Sequence, residues 1–193
     1  MRRGARASQV VNNFFTFATI VMVTIVLTLY VKYFGEDKNS TKISIPKLQC
    51  EKEFFSKAKI LNLTLLKKSI NALDKGYYKL DGGIIESEMM KSKIKSIINI
   101  DEIDGFYLDS IGIKPKKEIE KFLKIKYELI ENDKKNPKNK KLNSGTLVTS
   151  FRINTTEIFR FNTDIDFFYK NAIKQRVECS IKVYKNYVQN TRK

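Results

Sequence analysis

The sequence predicts an α+β protein: one transmembrane helix, then a single mixed domain with helices mainly in its first two thirds and an antiparallel sheet mainly at the C-terminal end. Three observations predict it: an uncharged apolar run near the N-terminus, helical apolar spacing in the middle of the chain and alternating apolar residues near its end. The expected boundaries are a basic tail at 1–13, the transmembrane helix at 14–33, a linker at 34–42 and the domain at 43–193.

The apolar run reads FFTFATIVMVTIVLTLYV over residues 14–31 and contains no charge. A bilayer-spanning helix needs about 20 apolar residues, and each Phe, Ile, Val or Leu favours insertion by about 0.3–0.6 kcal/mol. Arg2, Arg3 and Arg6 precede the run, and no signal-cleavage pattern follows it. The pattern therefore predicts a single-pass signal-anchor in the cell inner membrane, with a cytoplasmic N-terminus and a periplasmic or other extracytoplasmic domain. The reverse orientation stays open.

Two polar residues within the run, Thr24 and Thr28, lie four positions apart. Their hydroxyls either bond back to carbonyls of their own helix or mark a small-residue face that packs against another helix. The overall layout resembles that of stator and energiser proteins of the ExbD, TolR and MotB families. Those proteins carry an aspartate inside the membrane, whereas residues 14–31 contain none. No family is therefore assigned.

Helices are expected where apolar residues recur every three or four positions. Residues 51–74 are expected to form one or two helices, and Gly76 is expected to end the last of them. Ser87 fits the N-cap of a further helix, and it fits the end of a hairpin equally well. Residues 115–131 form the clearest soluble helix, because Pro115 suits a first helical position and the apolar residues after it share one face.

Strands are expected where apolar and polar residues alternate. Residues 42–48 fit an edge strand, because Pro46 cannot donate to a central ladder. Residues 76–87 carry Asp81-Gly82-Gly83 between two β-favouring runs, which predicts a hairpin. The main antiparallel strands are expected in the last fifty residues, at 147–153, 158–161 and 177–183.

The chain is strongly basic, with 37 Lys and Arg against 21 Asp and Glu and a net charge of +16. Such a balance favours anionic partners, namely lipid head groups, acidic protein surfaces or nucleic acid. The densest lysine cluster is interpreted as a solvated loop or as a contact for anionic head groups. Nucleic acid is not favoured there, because no aromatic residue is interleaved for base stacking. The cluster consists of Lys134, Lys135, Lys138, Lys140 and Lys141.

Few residues suggest chemistry. Histidine is absent, which excludes His-based catalytic triads and His-ligated zinc or haem. Ser92 and Lys95 form an S-x-x-K pattern, but the companion motifs of Ser/Lys enzymes are missing. The acidic residues at 101–109 lack EF-hand spacing and are interpreted as a turn. No catalytic residue, metal or cofactor is predicted. Cys50 and Cys179 form either one disulfide or two separate buried thiols.

These observations predict a membrane-anchored, non-enzymatic scaffold or adaptor of an envelope-spanning assembly of the secretion, pilus or flagellar type. Its expected partners are the lipid bilayer and other membrane or envelope proteins. Two alternatives stay open. One is an anchored hydrolase that uses Ser92 and Lys95. The other is the reversed topology, in which a basic cytoplasmic domain binds anionic lipid or nucleic acid.

Overall fold

The computed structural model describes residues 4–33, 45–88, 91–116, 122–133 and 143–192. The chain divides into two compact units, Met1–Lys42 and Ile43–Lys193. In the described part of the first unit, residues Gly4–Tyr33 form one helix, α1, of 30 residues.

The side chains of α1 are described over residues 13–29, and all of them except Ala18 are exposed. Thr24 Oγ1 donates to the carbonyl of Val21 at 2.8 Å, and Thr28 Oγ1 donates to the carbonyl of Thr24 at 2.7 Å. Within the described part of the chain, no helix combines the length and the apolar character that a membrane crossing needs. The prediction of a transmembrane signal-anchor at 14–33 is therefore wrong.

The second unit is a mixed α+β domain around a five-stranded sheet with the strand order β1-β5-β4-β3-β2. Strands β2 and β3 pair in parallel, whereas every other neighbouring pair is antiparallel. The strands are β1 (Lys57–Ile60), β2 (Tyr78–Ile85), β3 (Leu123–Glu131), β4 (Gly145–Ile153) and β5 (Thr156–Ile165). The helices are α2 (Gln49–Glu53), α3 (Leu63–Asp74), α4 (Ile94–Ile97), α5 (Ile100–Ile111) and α6 (Lys170–Arg192).

The order of these elements corrects the expected separation of helices from sheet. Strands β1 and β2 lie between helices in the first half of the domain, and the longest helix of the domain, α6, closes the chain. The strand expected at 177–183 lies inside α6. The described end of the helix expected at 115–131 is β3, in which buried and more exposed residues alternate. The sheet is mixed rather than antiparallel.

Smaller elements also differ from the sequence-based expectation. The hairpin expected at 76–87 is one continuous strand, β2, which passes through Gly82 and Gly83. The acidic residues at 101–109 lie in α5, because Asn99 caps that helix by accepting a hydrogen bond from the backbone N–H of Glu102 at 2.8 Å. Residues 45–48 contain no strand. Strands β4 and β5 contain the strands expected at 147–153 and 158–161.

Helix α6 packs on the sheet through Tyr184. The Tyr184 ring stacks on Phe151 of β4, with ring centroids 3.9 Å apart, and meets the edge of Phe159 of β5 at 5.8 Å. A disulfide between Cys50 of α2 and Cys179 of α6 joins the two ends of the domain sequence across 129 positions. The helical side of the sheet is therefore closed by stacked aromatic rings and one covalent link.

Gly82 of β2 makes room for a buried tyrosine of the neighbouring strand. Tyr127 lies opposite Gly82, and its ring stacks on Tyr107 of α5 with centroids 4.7 Å apart. The Tyr127 hydroxyl donates to Asp104 Oδ1 at 2.6 Å. A Cβ added at Gly82 would lie 2.2 Å from the Tyr127 ring, so any larger residue would clash with the ring in this position.

We expect reduction of the disulfide to lower the free energy of unfolding by about 4–5 kcal/mol, because an open chain of this separation gains conformational freedom when it unfolds. Urea unfolding with and without dithiothreitol measures the loss. The double variant Cys50→Ala/Cys179→Ala is the control, because its stability should not respond to the reductant. An unchanged midpoint for the reduced native sequence would contradict the prediction.

We expect Gly82→Ala to lower the free energy of unfolding by about 1–3 kcal/mol, because the added methyl group overpacks the ring of Tyr127. Gly83→Ala is the matched control. It changes the next residue of the same strand, where the nearest atom to an added Cβ is 3.9 Å away. Its effect should stay within about 0.5 kcal/mol. Equal losses in urea unfolding of the two variants would show that strand propensity, not the tyrosine ring, sets the requirement.

Candidate functional site

The structure does not bring the sequence-predicted candidates together into one site. Ser92 precedes α4 instead of sharing a helix face with Lys95, and Lys95 Nζ pairs with Glu86 Oε1 at 2.5 Å. Thr24 and Thr28 belong to the first unit, and their role in helix packing stays a prediction. The five lysines of the predicted loop fall at 134–141, outside the described residues. Among the described residues, no group of His, Cys, Asp and Glu side chains could hold a metal ion.

The sheet has one side that the described helices leave open. On β3, for example, Leu123, Ile125 and Tyr127 are fully buried in the core, whereas Lys124 and Lys126 between them point to the other side. Two adjacent rows of side chains cross this open side, and together we call them the basic face. One row is Lys59, Arg160, Ser150, Lys126 and Asp81, and the other is Glu157, Arg152, Lys124 and Lys79.

Some cations of the basic face are paired with acids. Lys124 Nζ lies 2.6 Å from Asp81 Oδ2, and the hydrogen bond and charge of Lys124 hold the pKa of Asp81 below its usual value. Lys126 Nζ lies 2.8 Å from Glu128 Oε1, which raises the pKa of Lys126 by its hydrogen bond and its charge. These exposed pairs are solvated and add little stability.

A β-bulge places one further pair on the basic face. Residues three apart on a regular strand point to opposite sides of the sheet. The register between β4 and β5 shifts at Phe151/Arg152, so that Arg152 lies opposite Glu157. Glu157 and Arg160 consequently face the same side, and Arg160 Nε donates to Glu157 Oε1 at 2.6 Å. Burial raises the pKa of Glu157, but Arg160, the Ser150 hydroxyl and the charge of Arg152 outweigh it and lower the pKa overall.

A shallow groove of ≈190 Å³ lies in the middle of the basic face, over β3, β4 and β5. Arg152 on its wall makes no ion pair with a described residue, and its Nη2 donates to the carbonyl of Thr155 at 2.6 Å. Ser150 is only 8% exposed, and its hydroxyl makes no hydrogen bond of ordinary geometry with a described residue, although it lies near Glu157. The lining residues are Lys126, Glu128, Val148, Ser150, Arg152, Glu157 and Arg160.

Sequence reasoning did not find the basic face. Charged and apolar residues alternate in LKIKYELIE, residues 123–131, but the expected helix at 115–131 includes this segment. On a helix, Lys124 and Lys126 would not share a side. A period-two reading of that segment would have found the open side of β3. No local signal could have found the neighbours of Lys126, because Arg160 and Lys59 reach it only through strand register.

We expect the contribution of Glu157 to stability to disappear in acid. A carboxylate whose pKa is lowered on folding stabilises the fold above its unfolded-state pKa of about 4.3, and this contribution is lost as the pH falls through the lower folded-state pKa. The difference in free energy of unfolding between the native sequence and Glu157→Gln, about 0.2–1 kcal/mol at pH 7, should therefore shrink between pH 5 and pH 2. Urea unfolding across that range measures it.

The Arg160→Met variant supplies the control for this pH dependence, because it removes the main partner of the carboxylate. In an Arg160→Met background, the further change Glu157→Gln should have little effect at any pH. A difference between native sequence and Glu157→Gln that stays constant down to pH 2 would contradict the assignment of the lowered pKa.

Similarity to known proteins adds nothing to this geometry. Comparison of the chain with protein-family models, with curated proteins and with solved structures gave no match. The basic face and its central groove therefore rest on the residues of this chain alone.

Proposed function

We propose that Ile43–Lys193 is a non-enzymatic binding domain that acts as an adaptor outside the cytoplasm and holds an acidic partner protein on the basic face. The observation that carries the proposal is the charge of two adjacent rows of side chains. They contain six cations against the two acids Asp81 and Glu157, on a side of the sheet that the described helices leave open.

The paired cations do not cancel the field of the basic face. Lys59, Lys79 and Arg152 make no ion pair with any described acid. Lys59 and Lys79 stand on the two edge strands, so the positive charge extends across the whole width of the sheet. A surface of one sign accelerates association with a surface of the opposite sign and orients the partner. At physiological salt this attraction acts over a screening length of about 8 Å.

The shape of the basic face favours a protein surface over a small ligand. Five strands spaced about 4.8 Å apart give a strip about 19 Å long, which is the scale of a contact between folded proteins. The groove within it is smaller than the roughly 300–1,000 Å³ of typical pockets for small organic ligands. A partner with acidic side chains distributed over its surface would contact several cations at once.

The disulfide supports a place outside the cytoplasm. Bonds such as that between Cys50 and Cys179 persist in oxidising compartments, whereas thiol systems keep most cytosolic cysteines reduced. An extracytoplasmic domain that binds through charge suits the role of an adaptor, because its interface with the partner can form and dissociate without chemistry.

Charge reversal tests the proposal. A photo-crosslinking residue at Val148, in the groove, should capture the partner in intact cells. The double change Lys126→Glu/Arg152→Glu should reduce the crosslink about tenfold or more, because it replaces attraction of an acidic surface by repulsion. The adduct should be a protein and should decrease further when the salt concentration is raised.

The matched control reverses two charges elsewhere in the domain. Lys68→Glu/Lys182→Glu changes the net charge equally, but alters α3 and α6 instead of the sheet. Its crosslink yield should stay within about twofold of the native yield. Equal losses in the two double variants would show that total charge, not the basic face, determines binding. An adduct removed by nuclease would overturn the acidic protein as partner.

A further inference from the structure

The central groove contains two groups that together suit a carboxylate. Arg152 lines the groove, directs one N–H to the carbonyl of Thr155 and makes no ion pair with a described acid. The guanidinium has five N–H donors, so it retains donors for a ligand. The Ser150 hydroxyl in the groove is more than nine-tenths buried. It lies close enough to Glu157 to lower the pKa of that carboxyl, but both Glu157 oxygens accept from Arg160, and no described residue accepts from Ser150 in ordinary hydrogen-bond geometry. A buried hydroxyl without a partner is costly. An incoming oxyanion would remove that cost.

We propose that the groove binds the side-chain carboxylate of an Asp or Glu residue on the partner, held by the Arg152 guanidinium and the Ser150 hydroxyl. The inference rests on the proposed function, since it names the group of the acidic partner that enters the basic face. The groove lies over the central strands β3, β4 and β5 rather than at an edge, so a partner reaches it with a projecting side chain.

The acids of the groove discriminate against phosphate. Glu128 and Glu157 line the same groove, and the lowered pKa of Glu157 keeps its carboxylate ionised at neutral pH. Their repulsion of a ligand grows with its negative charge. A phosphate group with about two charges is therefore repelled more strongly than a carboxylate with one. A planar carboxylate also fits the fork of an arginine in the bidentate arrangement.

Arginine side-chain NMR of the full chain tests the inference. The chain has seven arginines, so the Nε–H signal of Arg152 can be assigned through Arg152→Lys. At constant ionic strength, N-acetylglutamate amide, whose sole charge is its carboxylate, should shift the Arg152 signal saturably. The neutral N-acetylglutamine amide should not shift it, and inorganic phosphate should bind more weakly.

Two variants separate the groove from general charge. Ser150→Ala keeps every charge and should weaken the binding of N-acetylglutamate amide about tenfold, because a hydrogen bond to an ionised group is lost. Lys68→Gln removes one charge from α3, outside the basic face, and should change the affinity less than about twofold. If Ser150→Ala does not fold, the loss of binding in Arg152→Lys, which keeps the charge without the fork, takes its place.

The outcomes distinguish this inference from the proposed function. Non-saturating shifts, or equal effects of Ser150→Ala and Lys68→Gln, would overturn the carboxylate site while the charge-dependent crosslink at Val148 could persist. Saturable binding of N-acetylglutamate amide, together with a crosslink that survives reversal of Lys126 and Arg152, would support the groove and overturn the acidic partner protein. Tighter binding of phosphate than of carboxylate would also overturn the inference.

Discussion

The stacking of Tyr184 on Phe151 is the contact on which the domain depends. It brings the ring of Tyr184 on α6 to 3.9 Å from the ring of Phe151 on the central strand β4, and the disulfide of Cys179 fixes α2 to the same helix. A sheet in a domain of this size has apolar residues to bury on one side, and the described helices cover one side only. The opposite side of the described strands carries mainly polar and charged side chains, as expected where no described helix packs.

The sequence allowed the fold class of the domain and its two central antiparallel strands to be predicted, but it misassigned the longest elements. Residues 177–183 alternate Val, Cys, Ile and Val with polar residues, which resembles a strand. In α6 the same residues belong to a wide buried stripe, because the helix crosses the middle of the sheet. In a short apolar run, the period of two of a strand cannot be told from the period of about 3.6 of a helix. The absence of Gly and Pro over the 23 residues of α6 was the better signal.

Less of the candidate site than of the fold could be predicted. The overall positive charge was evident from the sequence. A binding surface also needs that charge to cluster on one face, and composition does not show clustering. The cluster arises because β1 and β5 bring Lys59 beside Arg160 from segments about a hundred residues apart, and because a bulge turns Glu157 to the side of Arg160. Strand order and bulges depend on the packing of the whole sheet. The strand propensities of single residues predict neither the strand order nor the bulge.

Cross-strand neighbours on the basic face argue that its charge pattern is not the one stability alone would select. Lys59 lies opposite Arg160, and Lys124 lies between Lys79 and Arg152. Like charges directly opposite each other on a sheet are destabilising, whereas opposite charges contribute about 0.2–1 kcal/mol. Exchanging one lysine of each pair for glutamate would remove the repulsion without touching the core. The proposed acidic partner would remove it equally well, and relief of the repulsion would then add to the driving force for binding.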